Sequence, residues 1–150
     1  MPTWRCRPRA KATTSSDNVA VVRRLYELFT DGRIEEAVAL LDPDIHWAEP
    51  EEAPDRRVVD GADNARAALN DWLSTWDAYE LELVEVVACP GDRVFQAMRQ
   101  RAVGAASGVP FEGDLFQVWT LRDGTPVRAE LFFEREQAEA AAGLQVPPIQ

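Results

Sequence analysis

The feature that most constrains the fold of this chain is a series of turn signals in its second half. Three short segments rich in Gly, Pro and Asp, at residues 90–92, 107–110 and 123–124, separate four apolar-rich runs. Glycine adopts positive φ at no steric cost and proline presets φ, so these segments suit tight turns. Because parallel strands need long crossovers, the short connections predict that residues 79–89, 93–103, 111–122 and 126–133 form an antiparallel meander.

Amphipathic helices are predicted before and after this meander. Apolar residues recur at helical spacing in three upstream segments, at residues 19–29, 34–41 and 62–76. A short terminal helix is predicted over residues 134–142, where Gly143 ends it. Trp72 and Trp76 share a face of the third helix, which favours a core role. Residues 45–48 read as a short strand and Val58-Val59 as a small edge strand. The order α-α-β-α-β-β-β-β-α predicts an α+β domain with a cone-shaped, curved antiparallel sheet covered on one face by helices.

The composition excludes several functional classes. The 150 residues suit a single domain, and no apolar run approaches the ~18 residues of a membrane-spanning helix. The formal net charge of -10 argues against a nucleic-acid partner, because phosphate binding requires a basic surface. With a single histidine and no closely spaced cysteines, the sequence predicts no metal site.

Both ends of the chain are predicted to lie outside the domain. Residues 1–16 carry four basic side chains and no acid, and they lack the apolar stretch of a secretory signal. We interpret them as a disordered basic tail, residues 17–144 as the domain and residues 145–150 as a C-terminal tail. Cys6, in the tail, and Cys89, at a strand end, suit reduced thiols in a cytoplasmic protein better than a disulfide.

Several local signatures resemble the SnoaL-like group of the nuclear transport factor 2-like superfamily, over roughly residues 17–144. They are NVAVVRRLY at residues 18–26, Asp31-Gly32, ALLDPDIHW at residues 39–47, VWTLRDG at residues 118–124 and REQA at residues 135–138. The resemblance implies helices over a curved sheet and an apolar pocket that needs no cofactor. The superfamily contains polyketide cyclases, ketosteroid isomerase, dehydratases, epoxide hydrolases and non-catalytic binding modules, so the activity stays open.

The resemblance implies that Glu49 is the best candidate for a general base. In ketosteroid isomerase the base belongs to an Asp-Pro pair after the first short strand, and Glu49-Pro50 follows residues 45–48 in the same way. A carboxylate in a dry pocket can take a proton from a carbon next to a carbonyl. The alternative is that Glu49, with Glu51 and Glu52, is one of three acids in a solvated loop.

The position of the family's acid corresponds to Gln117, counting back from the turn at residues 123–124. Its amide can donate a hydrogen bond but cannot transfer a proton. It would therefore orient a carbonyl or hydroxyl, or be satisfied by neighbouring backbone. Strand alternation puts Leu115, Gln117 and Trp119 on one face, which predicts a mostly apolar pocket wall with one polar group.

Glu130 is the second carboxylate candidate, because the matching position in SnoaL-like proteins often carries a side chain that points into the cavity. Phe132 shares its strand face and would join the pocket wall. The opposite face of this strand, with Ala129, Leu131 and Phe133, is nevertheless the obvious core face. Both orientations stay open at this point.

Trp47 and Tyr26 complete the predicted pocket. Trp47 matches an aromatic position of SnoaL-like proteins, which places it in the wall and turns its neighbour His46 outward. Tyr26 lies on the apolar stripe of the first helix. We interpret it as a core residue whose hydroxyl needs a hydrogen-bond partner.

The sequence thus predicts a pocket for a small apolar molecule and leaves two functional classes open. One is a cofactor-free isomerase, cyclase, dehydratase or hydrolase that uses Glu49 and Glu130. The other is a non-catalytic ligand-binding or protein-interaction module. Arg99 and Arg101 share a strand face, where they pair with Glu130 or form a solvated or dimer-facing ladder. Apolar side chains on both faces of the meander also predict a homodimer, because a monomer would expose one of them.

Overall fold

The computed structural model describes residues 15–53 and 56–144. Its elements are α1 (Ser15–Thr30), α2 (Ile34–Ala39), β1 (His46–Ala48), β2 (Val58–Asp60), α3 (Ala62–Ser74), β3 (Trp76–Cys89), β4 (Arg93–Gly104), β5 (Pro110–Arg122), β6 (Thr125–Phe132) and α4 (Arg135–Ala142). The predicted order is confirmed, with β2 as the small edge strand. Ser15 and Ser16 open α1, whereas Cys6, the rest of the basic tail and residues 145–150 lie outside the described residues.

The six strands form one curved, unclosed sheet in the order β2-β1-β6-β5-β4-β3. The successive pairs β3–β4, β4–β5 and β5–β6 are antiparallel, which confirms the meander. Strand β1 pairs antiparallel with β2 but parallel with β6. Asp123 and Gly124, both at positive φ, form the two-residue turn between β5 and β6.

One face of the sheet, called the inner face, packs against α1, α2 and α3. A core cluster there contains Val22, Leu25, Leu28, Ala37, Ala65 and Ala68 of the helices with Trp47, Val94, Trp119 and Ala129 of the sheet. Burial of these apolar side chains holds the three helices on this face. Within the described residues, no helix is long and apolar enough to cross a membrane.

The terminal helix α4 is the exception to the predicted one-sided arrangement, because it lies on the opposite, outer face. Ala138 and Ala142 pack there against Phe95, Phe116 and Val118. The small alanine side chains let the helix approach the aromatic rings closely. Since α4 covers this apolar patch within the chain, the homodimer loses its main support and stays a prediction, which light scattering at micromolar concentration checks.

The rest of the outer face is charged. Arg99 Nε lies 3.2 Å from Glu112 Oε2 and its Nη1 lies 2.9 Å from Asp114 Oδ1, while Arg101 Nε lies 3.1 Å from Glu112 Oε2. These side chains are about half exposed, so each ion pair contributes little to stability. The two arginines therefore form a solvated ladder and do not pair with Glu130.

Helix α3 ends earlier than predicted. Ser74 is its last residue, and Trp76 opens β3 opposite Gly104 of β4. In the strand, the Trp76 ring stacks on that of Phe111, with 5.5 Å between the ring centroids. This contact across the sheet joins residues far apart in the chain, so helical spacing alone could not reveal it.

Candidate functional site

A cavity of about 150 Å³ lies between the inner face and helices α1, α2 and α3. Its size is comparable with that of an engineered protein cavity that binds benzene. A molecule of about one ring therefore fits without rearrangement of the protein. The wall is mainly apolar, and its rings come from Tyr26, Phe29, Trp47, Trp72, Tyr79, Trp119 and Phe133.

Most of the predicted site residues line this cavity. They are Tyr26, Trp47, Glu49, Leu115, Gln117 and Trp119. Leu115, Gln117 and Trp119 alternate along β5, so their side chains all point to the inner face. The turn chemistry and alternation of the meander thus bring together residues that are far apart in the chain.

Glu130 and Phe132 are placed elsewhere, which corrects the prediction that they face the pocket. In the pairing of β5 with β6, Leu131 lies opposite Gln117 and Glu130 lies opposite Val118. Residues directly opposite each other share a sheet face. Leu131 therefore lines the cavity, while Glu130 turns to the outer face and Phe132 packs into the outer cluster.

Glu49 enters the cavity wall from the end of β1. Its backbone N–H donates to Arg57 O at 3.0 Å, which extends the β1–β2 pairing by one residue. Its Oε1 accepts a hydrogen bond from the Arg57 backbone N–H, also at 3.0 Å. The side chain is half-buried, whereas Glu51 and Glu52 are exposed. Glu49 is thus the only acid of this loop stretch, residues 49–53, that lines the cavity.

Gln117 is one of the polar residues that line the cavity. It is 6% exposed, and its Nε2 has no hydrogen-bond partner among the described residues. An amide donor buried without a partner costs free energy. Gln117 therefore brings an amide whose nitrogen has no fixed partner to the cavity wall.

Gln96, on β4, is a cavity residue that the sequence reasoning missed. It lies directly opposite Gln117 on the neighbouring strand. Its Oε1 accepts a hydrogen bond of 2.8 Å from Trp119 Nε1. The available signal was alternation, because Gln96 shares its strand face with Val94 and Met98, which are buried.

The hydroxyl of Tyr26 is fully engaged by the backbone of β3. It donates to Leu81 O at 2.9 Å and accepts from Leu83 N–H at 3.1 Å. Strand β3 lies at the edge of the sheet. The Tyr26 hydroxyl therefore supplies hydrogen bonds to Leu81 O and Leu83 N–H where no further strand is present. Only the ring of Tyr26 is left to line the cavity.

His46 lies outside the cavity lining, next to the buried Trp47. Its Nδ1 is 2.9 Å from Asp60 Oδ1, across the β1–β2 pair. Over residues 15–53 and 56–144, no group of three His, Cys, Asp or Glu side chains comes together as metal ligands.

Comparison with known proteins decides the family. The model of the SnoaL-like domain matches residues 22–129, which is more than half of the chain. The chain belongs to the SnoaL-like domain family. No curated protein sequence matches it.

This SnoaL-like chain matches nearly the whole length of several solved structures with the same fold. A nuclear transport factor 2-like protein of unknown function from Burkholderia pseudomallei is 21% identical, with a TM-score of 0.71 over 84% of this chain and 97% of that one. TerC, crystallised with polyporic acid, is 23% identical, with a TM-score of 0.68 over 84% and 97%. A proposed SnoaL-like polyketide cyclase from Jannaschia sp. CCS1 is 19% identical, with a TM-score of 0.70 over 94% and 100%. At these identities, the likeness shows the fold alone.

Tyr79 also lines the cavity of this SnoaL-like domain. Its hydroxyl donates to Gln100 Oε1 at 2.6 Å, and its ring meets those of Trp72 and Trp76 at centroid distances of 6.3 and 6.4 Å. Burial raises the pKa of Tyr79 to about 12, although a hydrogen bond with the Trp72 side chain opposes the shift. Tyr79 therefore stays neutral at physiological pH.

Because the pKa of Tyr79 is raised in the folded protein, the free energy of unfolding is expected to fall in strong alkali. The unfolded chain releases the phenol proton near pH 10 and the folded chain only near pH 12. The stabilisation is thus complete below pH 10 and is lost as the pH rises to 12, by up to about 2–3 kcal/mol. Urea unfolding of the native protein and of Tyr79→Phe at pH 9 to 12 measures it. Parallel losses of stability in the two proteins would contradict this prediction.

Proposed function

We propose that this SnoaL-like protein binds a small, largely apolar molecule in the inner-face cavity and moves a proton on it, with Glu49 as the base. The observation that carries the proposal is that the Glu49 carboxylate and the amides of Gln96 and Gln117 line one mainly apolar cavity. The corresponding reaction classes are isomerisation, cyclisation, dehydration and hydrolysis, and none of the proposed steps requires a cofactor.

The proposed chemistry starts with the removal of a proton from a carbon next to a carbonyl. The C–H bond breaks, the Glu49 carboxylate takes the proton, and the electron pair moves onto the carbonyl oxygen. Gln117 Nε2 can donate a hydrogen bond to that oxygen but cannot give it a proton. The Glu49 carboxyl then returns the proton to a carbon of the same molecule, which completes an isomerisation without a separate acid.

The low-dielectric wall supports this step. Donors that are fixed before the reaction stabilise developing charge more strongly in a site that excludes water. Rings of Trp47, Trp119 and Phe133 line the cavity. The Arg57 N–H holds the Glu49 carboxylate in one place, so the base does not need to be ordered during the reaction.

The second candidate is a non-catalytic ligand-binding or protein-interaction module. Two observations favour it: Gln117 cannot act as an acid, and the Tyr26 hydroxyl is already used by the β3 backbone. TerC, a relative in fold, was crystallised with polyporic acid. Such a complex supports occupancy of the fold by a small organic molecule without deciding between catalysis and binding.

Acetophenone is a suitable test molecule, because it has one ring and a methyl group next to a carbonyl. Binding is followed by the fluorescence of tryptophan, since Trp47, Trp72 and Trp119 line the cavity. Proton transfer is followed by NMR as the replacement of methyl protons by deuterium in D₂O. Saturable exchange above the buffer rate supports the enzyme. Binding without exchange supports the second candidate, and the absence of both overturns the proposal.

A further inference from the structure

A groove of about 800 Å³ lies beside the cavity, along the edge strand β3. Residues from α1, α3 and β3 line it, together with Ile34 at the start of α2. Ile34 and Leu73 line the groove but not the cavity, whereas Met98 lines the cavity but not the groove. The groove is therefore a second space with residues of its own.

The groove and the cavity adjoin each other at four side chains that line both spaces. They are Tyr26, Phe29, Tyr79 and Leu81. The cavity alone holds about one ring. A longer molecule can extend from the cavity past these side chains into the groove.

Phe29 is the member of this group that moves at the lowest cost. The hydroxyls of Tyr26 and Tyr79 are hydrogen-bonded to β3 and to Gln100, and Leu81 belongs to a paired strand. Phe29 has no polar side-chain atom, is half-buried and lies in the last turn of α1. Its ring meets that of Tyr79 edge-on at 6.5 Å. The Phe29 ring can therefore turn aside without breaking a hydrogen bond.

The charged residues of the groove determine which kind of chain it accepts. Arg101 Nη1 lies 4.0 Å from Glu80 Oε1, its Nη2 lies 3.8 Å from Glu82 Oε1, and its Nε lies 3.1 Å from Glu112 Oε2. One guanidinium thus faces three carboxylates, so a ligand carboxylate would meet net negative charge there. Most of the remaining lining is apolar. An uncharged alkyl chain is therefore the group that fits the groove.

We propose that the cavity and the groove form one two-part site for a molecule with a compact ring at one end and an uncharged alkyl chain at the other. Phe29 is the residue that determines whether the chain enters the groove. This inference rests on the proposed function and adds to it a substrate class and a specificity-determining residue. The ring lies in the cavity with Glu49, and the chain lies against Ile34 and Leu73. Burial of the chain strengthens binding beyond what a single ring provides.

Hexanophenone tests the two-part site, because it is acetophenone with four additional CH₂ groups. The ¹³C-labelled methyl groups of Met98 and Ile34 report separately on the cavity and the groove. In native protein we expect acetophenone to shift the Met98 signal alone and hexanophenone to shift both signals. We also expect hexanophenone to bind about 10–100-fold more tightly, because each fully buried CH₂ group strengthens binding by roughly fourfold.

Phe29→Trp tests the role of Phe29, because the larger ring fills the passage between the two spaces. Its affinity for hexanophenone is expected to fall to within about threefold of that for acetophenone, since the chain is no longer buried. The Ile34 signal should then stay unchanged. Phe29→Leu, with a smaller side chain, is expected to bind hexanophenone at least as tightly as native protein. Phe111→Trp is the matched control, because Phe111 lines neither space, and it should behave as native protein does.

The measurement on native protein is decisive even if Phe29→Trp does not fold. An Ile34 signal that hexanophenone leaves unchanged, or that acetophenone also shifts, would overturn the two-part site. A shift of Ile34 without a shift of Met98 would do the same. An Ile34 shift by hexanophenone that is as large in folded Phe29→Trp as in native protein would overturn the role of Phe29.

The two proposals fail in different ways. If hexanophenone shifts both methyl signals but neither ketone exchanges protons for deuterium, the two-part site stands and the enzyme fails. If acetophenone undergoes exchange but hexanophenone does not shift the Ile34 signal, the enzyme stands and the two-part site fails.

Discussion

Replacing Glu49 with glutamine is expected to lower the rate of deuterium exchange on acetophenone by about 10²–10⁴-fold, the usual contribution of a positioned general base. The amide oxygen of glutamine can still accept the hydrogen bond from the Arg57 N–H, so the local structure should persist. Binding of acetophenone should therefore change little. The exchange rate from NMR and the dissociation constant from tryptophan fluorescence measure the two effects separately.

Glu51→Gln is the matched control for this experiment. Glu51 lies in the same loop and undergoes the same loss of one charge, but it is exposed and does not line the cavity. The rate of deuterium exchange on acetophenone in the Glu51→Gln protein is expected to equal that in the native protein. Equal rates for Glu49→Gln and native protein would show that another group removes the proton, and Glu49 would then be only part of the wall.

Replacing Phe95 with alanine is expected to lower the free energy of unfolding by about 3–5 kcal/mol. Phe95 is fully buried between the sheet and α4. Its ring stacks on that of Phe116 with 6.1 Å between centroids, and the guanidinium of Arg135 lies 5.1 Å from its centroid. Removal of the ring leaves a cavity under α4 and exposes apolar surface. Urea unfolding, analysed for midpoint and slope, measures the loss.

Val84→Ala is the comparison for Phe95→Ala. Val84 lies on β3 at an irregularity of the pairing and is 62% exposed. Its substitution is expected to change the free energy of unfolding by no more than about 0.5 kcal/mol. A loss at Phe95 as small as the loss at Val84 would mean that α4 does not seal the outer face in solution.

The strand meander could be predicted from sequence because its signals are local. Asp123-Gly124 suits a two-residue turn whatever surrounds it, and alternation along β5 places Leu115, Gln117 and Trp119 on one face. The same reasoning separates Glu130 from Leu131, since neighbours in a strand point to opposite faces. It does not say which face is the inner one, and the family-based choice of Glu130 was wrong for that reason.

The position of α4 could not be predicted, because both faces of the meander carry apolar side chains. Ala138 and Ala142 form a stripe too small to indicate a partner. The end of α3 was also beyond local reasoning, because Trp76 fits a helical stripe as well as a strand. Its stacking on Phe111, from β5, decides between the two.

By itself, the sequence determined the element order, the meander and the shared face of the β5 side chains, because turn residues and alternation act over a few neighbouring residues. It also determined the family. Only the tertiary structure decided which residues meet in the cavity. The parallel pairing of β1 with β6 brings Glu49, which follows β1, to the cavity wall that Leu131 and Gln117 line, and the Trp119 indole orients Gln96. Both depend on contacts between distant parts of the chain, and local patterns carry no information about such contacts.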